Sequence, residues 1–157
     1  MEKVLVEQAR NGDRAAMRQI YDCYSRYLAA TCSRYLPDGG DLRDVLQDSF
    51  VKIFSSLSKF DYRGEGSLMA WMRQISVNEA LKFIRKRKRS DTVEYKWDLP
   101  DKEEEEEPDV GSVPPGVIQK MIQALPEGYR TVLNLYAFEE KSHKEIAALL
   151  GITESTS

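Results

Sequence analysis

Residues 60–89 carry a helix that is apolar on two sides, and such a helix cannot lie on a surface. At 100° per residue Leu68, Trp71, Met72 and Ile75 fall on one side, and Val77, Ala80, Leu81 and Ile84 fall largely on the other. The spacing predicts a central helix over 68–87 with other helices packed around it. Ahead of it Tyr62-Arg63-Gly64-Glu65-Gly66 reads as a turn whose glycines reach backbone angles other residues avoid, and Ser67 can cap the first free amides. What stays polar is narrow. Gln74, Asn78, Lys82, Arg85 and Arg89 recur at steps of four, four, three and four, within the arc of Trp71.

Cationic groups track a phosphate backbone, while aromatic and amide groups stack on unpaired bases or bond to their edges. Phe60, Tyr62 and Arg63 add to this strip from the loop, and Arg85-Lys86-Arg87-Lys88-Arg89 sets five positive charges at the helix end. The strip points to single-stranded or melted nucleic acid. The plainer account is a core helix with a solvated basic end, which also suits the helix dipole.

The other segments read as helices that could enclose it. Residues 2–10 form a short one, Asn11-Gly12-Asp13 ends it and caps the next, and over 14–36 Met17, Ile20, Tyr21, Tyr24, Leu28, Thr31 and Tyr35 define one buried stripe. Pro37-Asp38-Gly39-Gly40 breaks that pattern, and a third helix is expected over 42–57. Its inward side is Leu42, Val45, Leu46, Ser49, Phe50, Ile53 and Leu57. A second side mixes Asp44, Gln47 and Asp48 with Val51 and Phe54, which suits docking to a basic helical partner, or is an ordinary acidic surface beside a wide core stripe.

Residues 91–115 cannot bury a core. From Ser90 to Pro115 ten acidic residues stand against two basic ones, a local charge of −8 that leaves the rest of the chain at +5 within a total of −3. A disordered acidic tether is expected, joining a basic body to a C-terminal segment. Regular structure resumes there with helices over 117–125 and from Pro126 to about 140, the second burying Val132, Leu133, Leu135 and Tyr136. Ser142-His143-Lys144-Glu145 is a capping box for a helix bearing Ile146, Ala147, Leu149 and Leu150. Gly151 ends it, and Ile152-Thr153-Glu154 leads into another. Small Ala147, then Gly151, then a new helix is helix-turn-helix geometry.

At 157 residues and 41% hydrophobic content there is room for one domain or two small ones. No stretch resembles a membrane span or secretion signal, so membrane insertion is not expected and the cytoplasm is. Cys23 and Cys32 offer neither a metal knuckle nor a disulfide and read as small buried hydrophobes. The sole histidine, His143, sits in a helix cap, and neither a zinc cluster nor a phosphate-cradling glycine loop is present. No cofactor, metal or catalytic residue is therefore expected.

Taken together these residues resemble the extracytoplasmic-function (ECF) group of bacterial RNA polymerase sigma factors, in the sigma-70 family. Asp41-Leu42-Arg43-Asp44-Val45-Leu46-Gln47-Asp48-Ser49-Phe50 is similar to the family's polymerase-docking helix, and residues 64–78, with the Trp71 to Asn78 spacing, to its promoter-melting segment. Leu125-Pro126-Glu127, Arg130, Glu145-Ile146-Ala147 and Leu150-Gly151-Ile152 resemble its second domain. The resemblance implies an all-α protein of two small helical domains: a region 2 bundle over 1–90 and a helix-turn-helix region 4 domain over 116–157, joined by the acidic linker 91–115. It further implies core RNA polymerase contacts at Asp44, Gln47, Asp48 and Phe50, and a loop at Phe60, Tyr62 and Arg63 where a promoter base is flipped, with Asn78 beside it. Lys82, Arg85 and Arg89 would hold phosphates. Thr153, Glu154 and Ser155 would open the recognition helix for duplex DNA. Because the chain stops at Ser157, that helix is expected to be cut to its first turn and duplex readout to be weak. The implied partners are core RNA polymerase, promoter DNA and an anti-sigma factor, the free chain being a monomer without catalysis of its own. The competing readings are a helix-turn-helix regulator not associated with polymerase and a sequestering interaction protein.

Overall fold

The structure, a computed structural model, describes residues 1–90 and 113–157, the side chains of 88–90 excepted. The acidic segment 91–112 lies outside the described residues. Among the described residues all regular structure is helical: α1 (Glu2–Arg10), α2 (Arg14–Ser33), α3 (Gly39–Ser56), α4 (Ser67–Ser90), α5 (Pro115–Ala124), α6 (Glu127–Leu133) and α7 (His143–Leu150). A 3₁₀ turn at Leu57–Lys59 follows α3, and a π-helical turn at Asn134–Phe138 continues α6.

Side chains set the helix starts. Asp13 accepts from the amides of Ala15 and Ala16 at 2.8 and 3.2 Å, and Asp38 from those of Gly40 and Asp41 at 2.9 and 3.0 Å. The second cap draws Gly39 and Gly40 into α3, which begins three residues earlier than the glycine pair suggests. Ser142 accepts from the Glu145 amide at 3.1 Å, and its hydroxyl donates to the Glu145 carboxylate, so the box closes through side chains.

Helix α4 is shared by two apolar clusters, as its two-sided pattern requires. Leu68 and Met72 join Val6 and Ala9 of α1, Ile20 and Leu28 of α2 and Phe50 and Ile53 of α3. Further along, Val77, Ala80, Leu81 and Ile84 join Cys32 of α2, Tyr35 and Leu36 just after it, Val45 of α3, Leu135, and Ile146 of α7. Each fully buried Leu or Ile is worth about 1.5–3 kcal/mol relative to exposure.

Three readings are corrected. Cys23 is exposed while Cys32 is buried, because nine residues at 100° place the two on opposite sides of α2. Tyr21 is 45% exposed and leaves the buried stripe for the margin of α3. Leu135 is buried as expected, but Leu133 and Tyr136 are exposed, and Arg130, Thr131 and Asn134 are buried in their place. At 100° per residue Arg130, Thr131, Asn134 and Leu135 share one arc and Leu133 and Tyr136 fall outside it, so the buried stripe keeps the ordinary helical repeat but takes in polar side chains that an apolar pattern passes over.

Candidate nucleic-acid interface and docking groove

The loop before α4 is shaped by Gly64 (φ +119°) and Gly66 (φ +85°), backbone angles that side chains disfavour. Ser67 does not cap the helix as its position suggests. It is the first helical residue, and its hydroxyl donates to the Gly64 carbonyl at 2.6 Å while accepting from the Arg63 amide at 3.2 Å, so it tightens the loop. The free amides are met from elsewhere: those of Gly66 and Leu68 donate to the Glu2 carboxylate at 3.1 and 3.2 Å.

Of the loop aromatics, Phe60 is only 6% exposed. Its ring lies 4.8 Å from that of Trp71 and edge-on to Tyr62 at 6.5 Å, so it is the floor on which the other two rest rather than an open stacking face. Tyr62 and Trp71 are half-buried, and Arg63 is exposed and paired with Asp61 at 3.2 Å. Gln74, Asn78, Lys82, Arg85 and Lys86 are all exposed along α4. Arg85 donates to the Leu149 carbonyl at 2.7 Å. Arg87 leaves the basic run: it donates to Asp41 at 2.8 Å, pairs with Glu127 and covers the Phe83 ring. The Arg89 side chain lies outside the described residues.

On α3, Asp44, Gln47, Asp48 and Val51 are exposed, Val51 by 66%. Phe50 is nearly buried, with its ring 4.7 Å from Tyr21 and stacked at 6.0 Å on the half-buried Phe54. These rings line an apolar groove of about 610 Å³ between α2 and α3, together with Leu42, Leu46 and Val51. A second groove, of about 570 Å³, is lined by Asp44, Gln47 and Asp48 of α3 and by Glu79, Lys82, Phe83 and Lys86 of α4. The acidic side of α3 and the basic strip of α4 therefore meet along one groove.

In the C-terminal part Gly151 turns left-handed (φ +66°), and its amide closes α7 on the Ala147 carbonyl. Thr153, Glu154 and Ser155 are exposed in a single turn closed by the Ser157 amide on the Thr153 carbonyl at 3.3 Å. This part rests on the first through Arg73, which the sequence reading passed over. Arg73 donates to Glu139 at 2.7 Å, to the Tyr27 hydroxyl at 2.7 Å and to the Phe138 carbonyl at 3.1 Å. The bond to Glu139 raises the guanidinium further above its ordinary pKa. A signal existed: at 100° per residue Arg73 falls inside the arc of Val77, Ala80 and Ile84, where a charge needs a buried partner. Glu2 gave no such signal, since its partner amides are 64 and 66 residues away.

Comparison with known proteins places this arrangement. The family model for sigma-70 region 2 matches residues 20–90, and that for sigma-70 region 4 matches residues 116–157. The ECF RNA polymerase sigma-E factors of Salmonella typhimurium and of Escherichia coli strain K12 are each 28% identical over 166 aligned residues, covering 99% of this chain and 85% of theirs. That of Haemophilus influenzae is 26% identical, covering 99% of this chain and 86% of its own. Among solved structures, an engineered region 2 of sigmaE in complex with GTAAAA is 32% identical (TM-score 0.53), covering 59% of this chain and 95% of that one. CnrH in complex with the cytosolic domain of CnrY is 24% identical (TM-score 0.52) over 97% of this chain and 84% of that one, and shares the fold.

Proposed function

The chain belongs to the sigma-70 family, in its ECF group, and from that premise we propose how its surfaces divide the work of starting transcription. It is a sigma factor: it binds core RNA polymerase and directs promoter recognition, melting and initiation. A helix-turn-helix regulator independent of polymerase would leave residues 20–90 without a purpose, and those residues match region 2.

In this reading residues 1–90 and 116–157 are the two binding domains and 91–115 tethers them. Asp44, Gln47, Asp48 and Val51 meet a basic helical surface of the polymerase, with Phe50 and Phe54 giving the apolar groove beside them. The observation that carries the promoter assignment is the exposed line Gln74, Asn78, Lys82, Arg85 on α4, leading to Trp71, Tyr62 and Arg63 at the loop. Such a line suits one unpaired strand: cations follow its phosphates, and each base stacked on an aromatic ring adds about 1–3 kcal/mol. A relative's region 2 that is 32% identical and complexed with GTAAAA supports it. Phe60 enters as the support of Tyr62 and Trp71. Thr153, Glu154 and Ser155 start the element for duplex DNA. Bond formation belongs to the polymerase in this reading, with the chain acting as a cytoplasmic monomer when free and held in check by an anti-sigma partner.

The test is co-elution with core RNA polymerase, followed by binding of a promoter fragment melted around its start site to the eluted complex. Wild type should bind with a steep salt dependence. Lys82→Ala with Arg85→Ala should reduce the slope of log K against log salt by about 1.4, at about 0.7 per single-strand phosphate contact. An unchanged slope rejects the strip as the strand-binding surface.

A further inference from the structure

Helix α1 grips the loop of residues 57–68 at both of its ends. At one end of α1 the Glu2 carboxylate accepts from the Gly66 and Leu68 amides, where the loop enters α4. At the other, Arg10 Nε donates at 3.0 Å to the carbonyl of Leu57, which opens the 3₁₀ turn that leads into the loop. Between them Val6 and Ala9 are buried in the cluster that also holds Phe60 and Leu68. Nine helical residues form a rod of about 13 Å. Seven residues of irregular backbone, Phe60 to Gly66, are thereby hung between two fixed points.

The chemistry of the grip matters too. Amides at a helix N-terminus are a ready anion site, and here a side chain of the chain fills it. A strand at the loop is left with Tyr62, Trp71 and Arg63, and its phosphates go to the strip. The charge of Glu2 also helps push the phenols of Tyr24 on α2 and Tyr62 in the loop above their ordinary pKa, after burial itself.

We infer that Glu2 and Arg10 are positioning residues for strand recognition: α1 is a brace that holds loop 57–68 in its reading shape before nucleic acid arrives. The inference rests on the strand-binding reading above. A loop ordered in advance loses less conformational entropy on binding, and the gain falls most on a strand whose bases fit the loop at Tyr62 and Arg63. Contacts of Lys82 and Arg85 with phosphates are independent of it.

The experiment uses the full chain in complex with core polymerase. A preferred strand is selected by wild type from a randomised single-stranded pool, and its affinity is compared with that for oligo(dT) of equal length. Glu2→Ala and Arg10→Met should each weaken the selected strand about tenfold, or about 1.4 kcal/mol, weaken oligo(dT) by clearly less, and leave polymerase co-elution unchanged. Glu2→Gln, which keeps an acceptor oxygen, should recover part of the loss and guards against a variant that fails to fold. Equal loss on both strands, or none on either, overturns the brace. Wild type that selects no strand over oligo(dT) overturns the strand-reading surface itself, and the brace with it.

Discussion

The two apolar clusters on α4 are built differently. The first draws on residues 5–75 alone, so the region that carries the loop and the apolar groove closes on itself. The second takes Cys32, Tyr35 and Val45 from the first domain and Leu135 and Ile146 from the C-terminal helices, and polar bonds surround it. Asn134 donates to the Arg34 carbonyl at 2.8 Å, Gln123 to the Ser33 carbonyl at 3.0 Å, and Arg73 to Glu139. Among the described residues the buried side-chain atoms lacking a hydrogen bond include Arg34 Nε, the Tyr35 hydroxyl and Asn134 Oδ1, all at this second contact and none in the first cluster. An unmade buried hydrogen bond costs about 1–3 kcal/mol, and opening the contact returns these groups to water. The first cluster is thus a fixed body, and the second is a seam that gives back part of its burial on opening.

One substitution made in both places tests that contrast most severely. Leu68 and Leu135 are each almost fully buried, at 0% and 1% exposure, so truncation to alanine removes the same group from similar surroundings. Leu68→Ala should lower stability by about 2–5 kcal/mol and accelerate amide exchange throughout α1 to α4. Leu135→Ala should accelerate exchange in α5 to α7 while α1 to α3 keep their protection. If α1 to α3 lose protection equally in both variants, the clusters are one cooperative core and the contrast fails.

A smaller effect comes from alkaline pH. Burial pushes the Cys32 thiol up to about 12 from an ordinary 9.0. Below pH 9 both folded and unfolded chains keep this proton. Above it the unfolded chain releases the proton and the folded chain does not, so stability falls by about 1.4 kcal/mol per pH unit until the folded thiol also ionises near 12. Urea midpoints at pH 8.5 and 10 should therefore differ more for wild type than for Cys32→Ala. Equal differences would mean that the thiol gains water in the folded state and that the seam is already open.

The fixed body was legible in the sequence and the seam was not, for a physical reason. Helix α4 shows both apolar sides by periodicity, and Asp13 and Ser142 announce helix starts because caps act within three residues, whereas the cap at Asp38 is hidden by the glycine pair beside it. Exposed Gln74, Asn78, Lys82 and Arg85 follow from the same spacing. Bonds between distant segments leave no such trace. Glu2 with the Gly66 amide, Arg10 with Leu57 and Asn134 with Arg34 join residues 47 to 100 apart, and Ser67, the local candidate, yields the amides to Glu2. Leu133 and Tyr136 are misplaced when the stripe is read from apolar residues alone, whereas Arg130 and Asn134 take the buried arc and donate across the seam to the Tyr35 and Arg34 carbonyls.

The smallest effect has the sharpest sign. Tyr35 is fully buried at the seam, its hydroxyl finds no hydrogen-bond partner, and burial pushes its phenol above the ordinary 10.0. Its backbone carbonyl, which accepts from Arg130 at 3.4 Å, is untouched by a change of side chain. Tyr35→Phe should therefore leave stability equal or raise it by up to about 1 kcal/mol, where removing a satisfied tyrosine hydroxyl would lower it by about as much. It should also remove whatever part of the alkaline slope above pH 10 belongs to this phenol, since burial holds its proton in the folded chain. Thermal melts at pH 7 and pH 10.5 read both effects in one pair of proteins. A drop at pH 7 would mean that the hydroxyl is bonded when the seam is closed, and the seam would then be as well matched as the body it rests on.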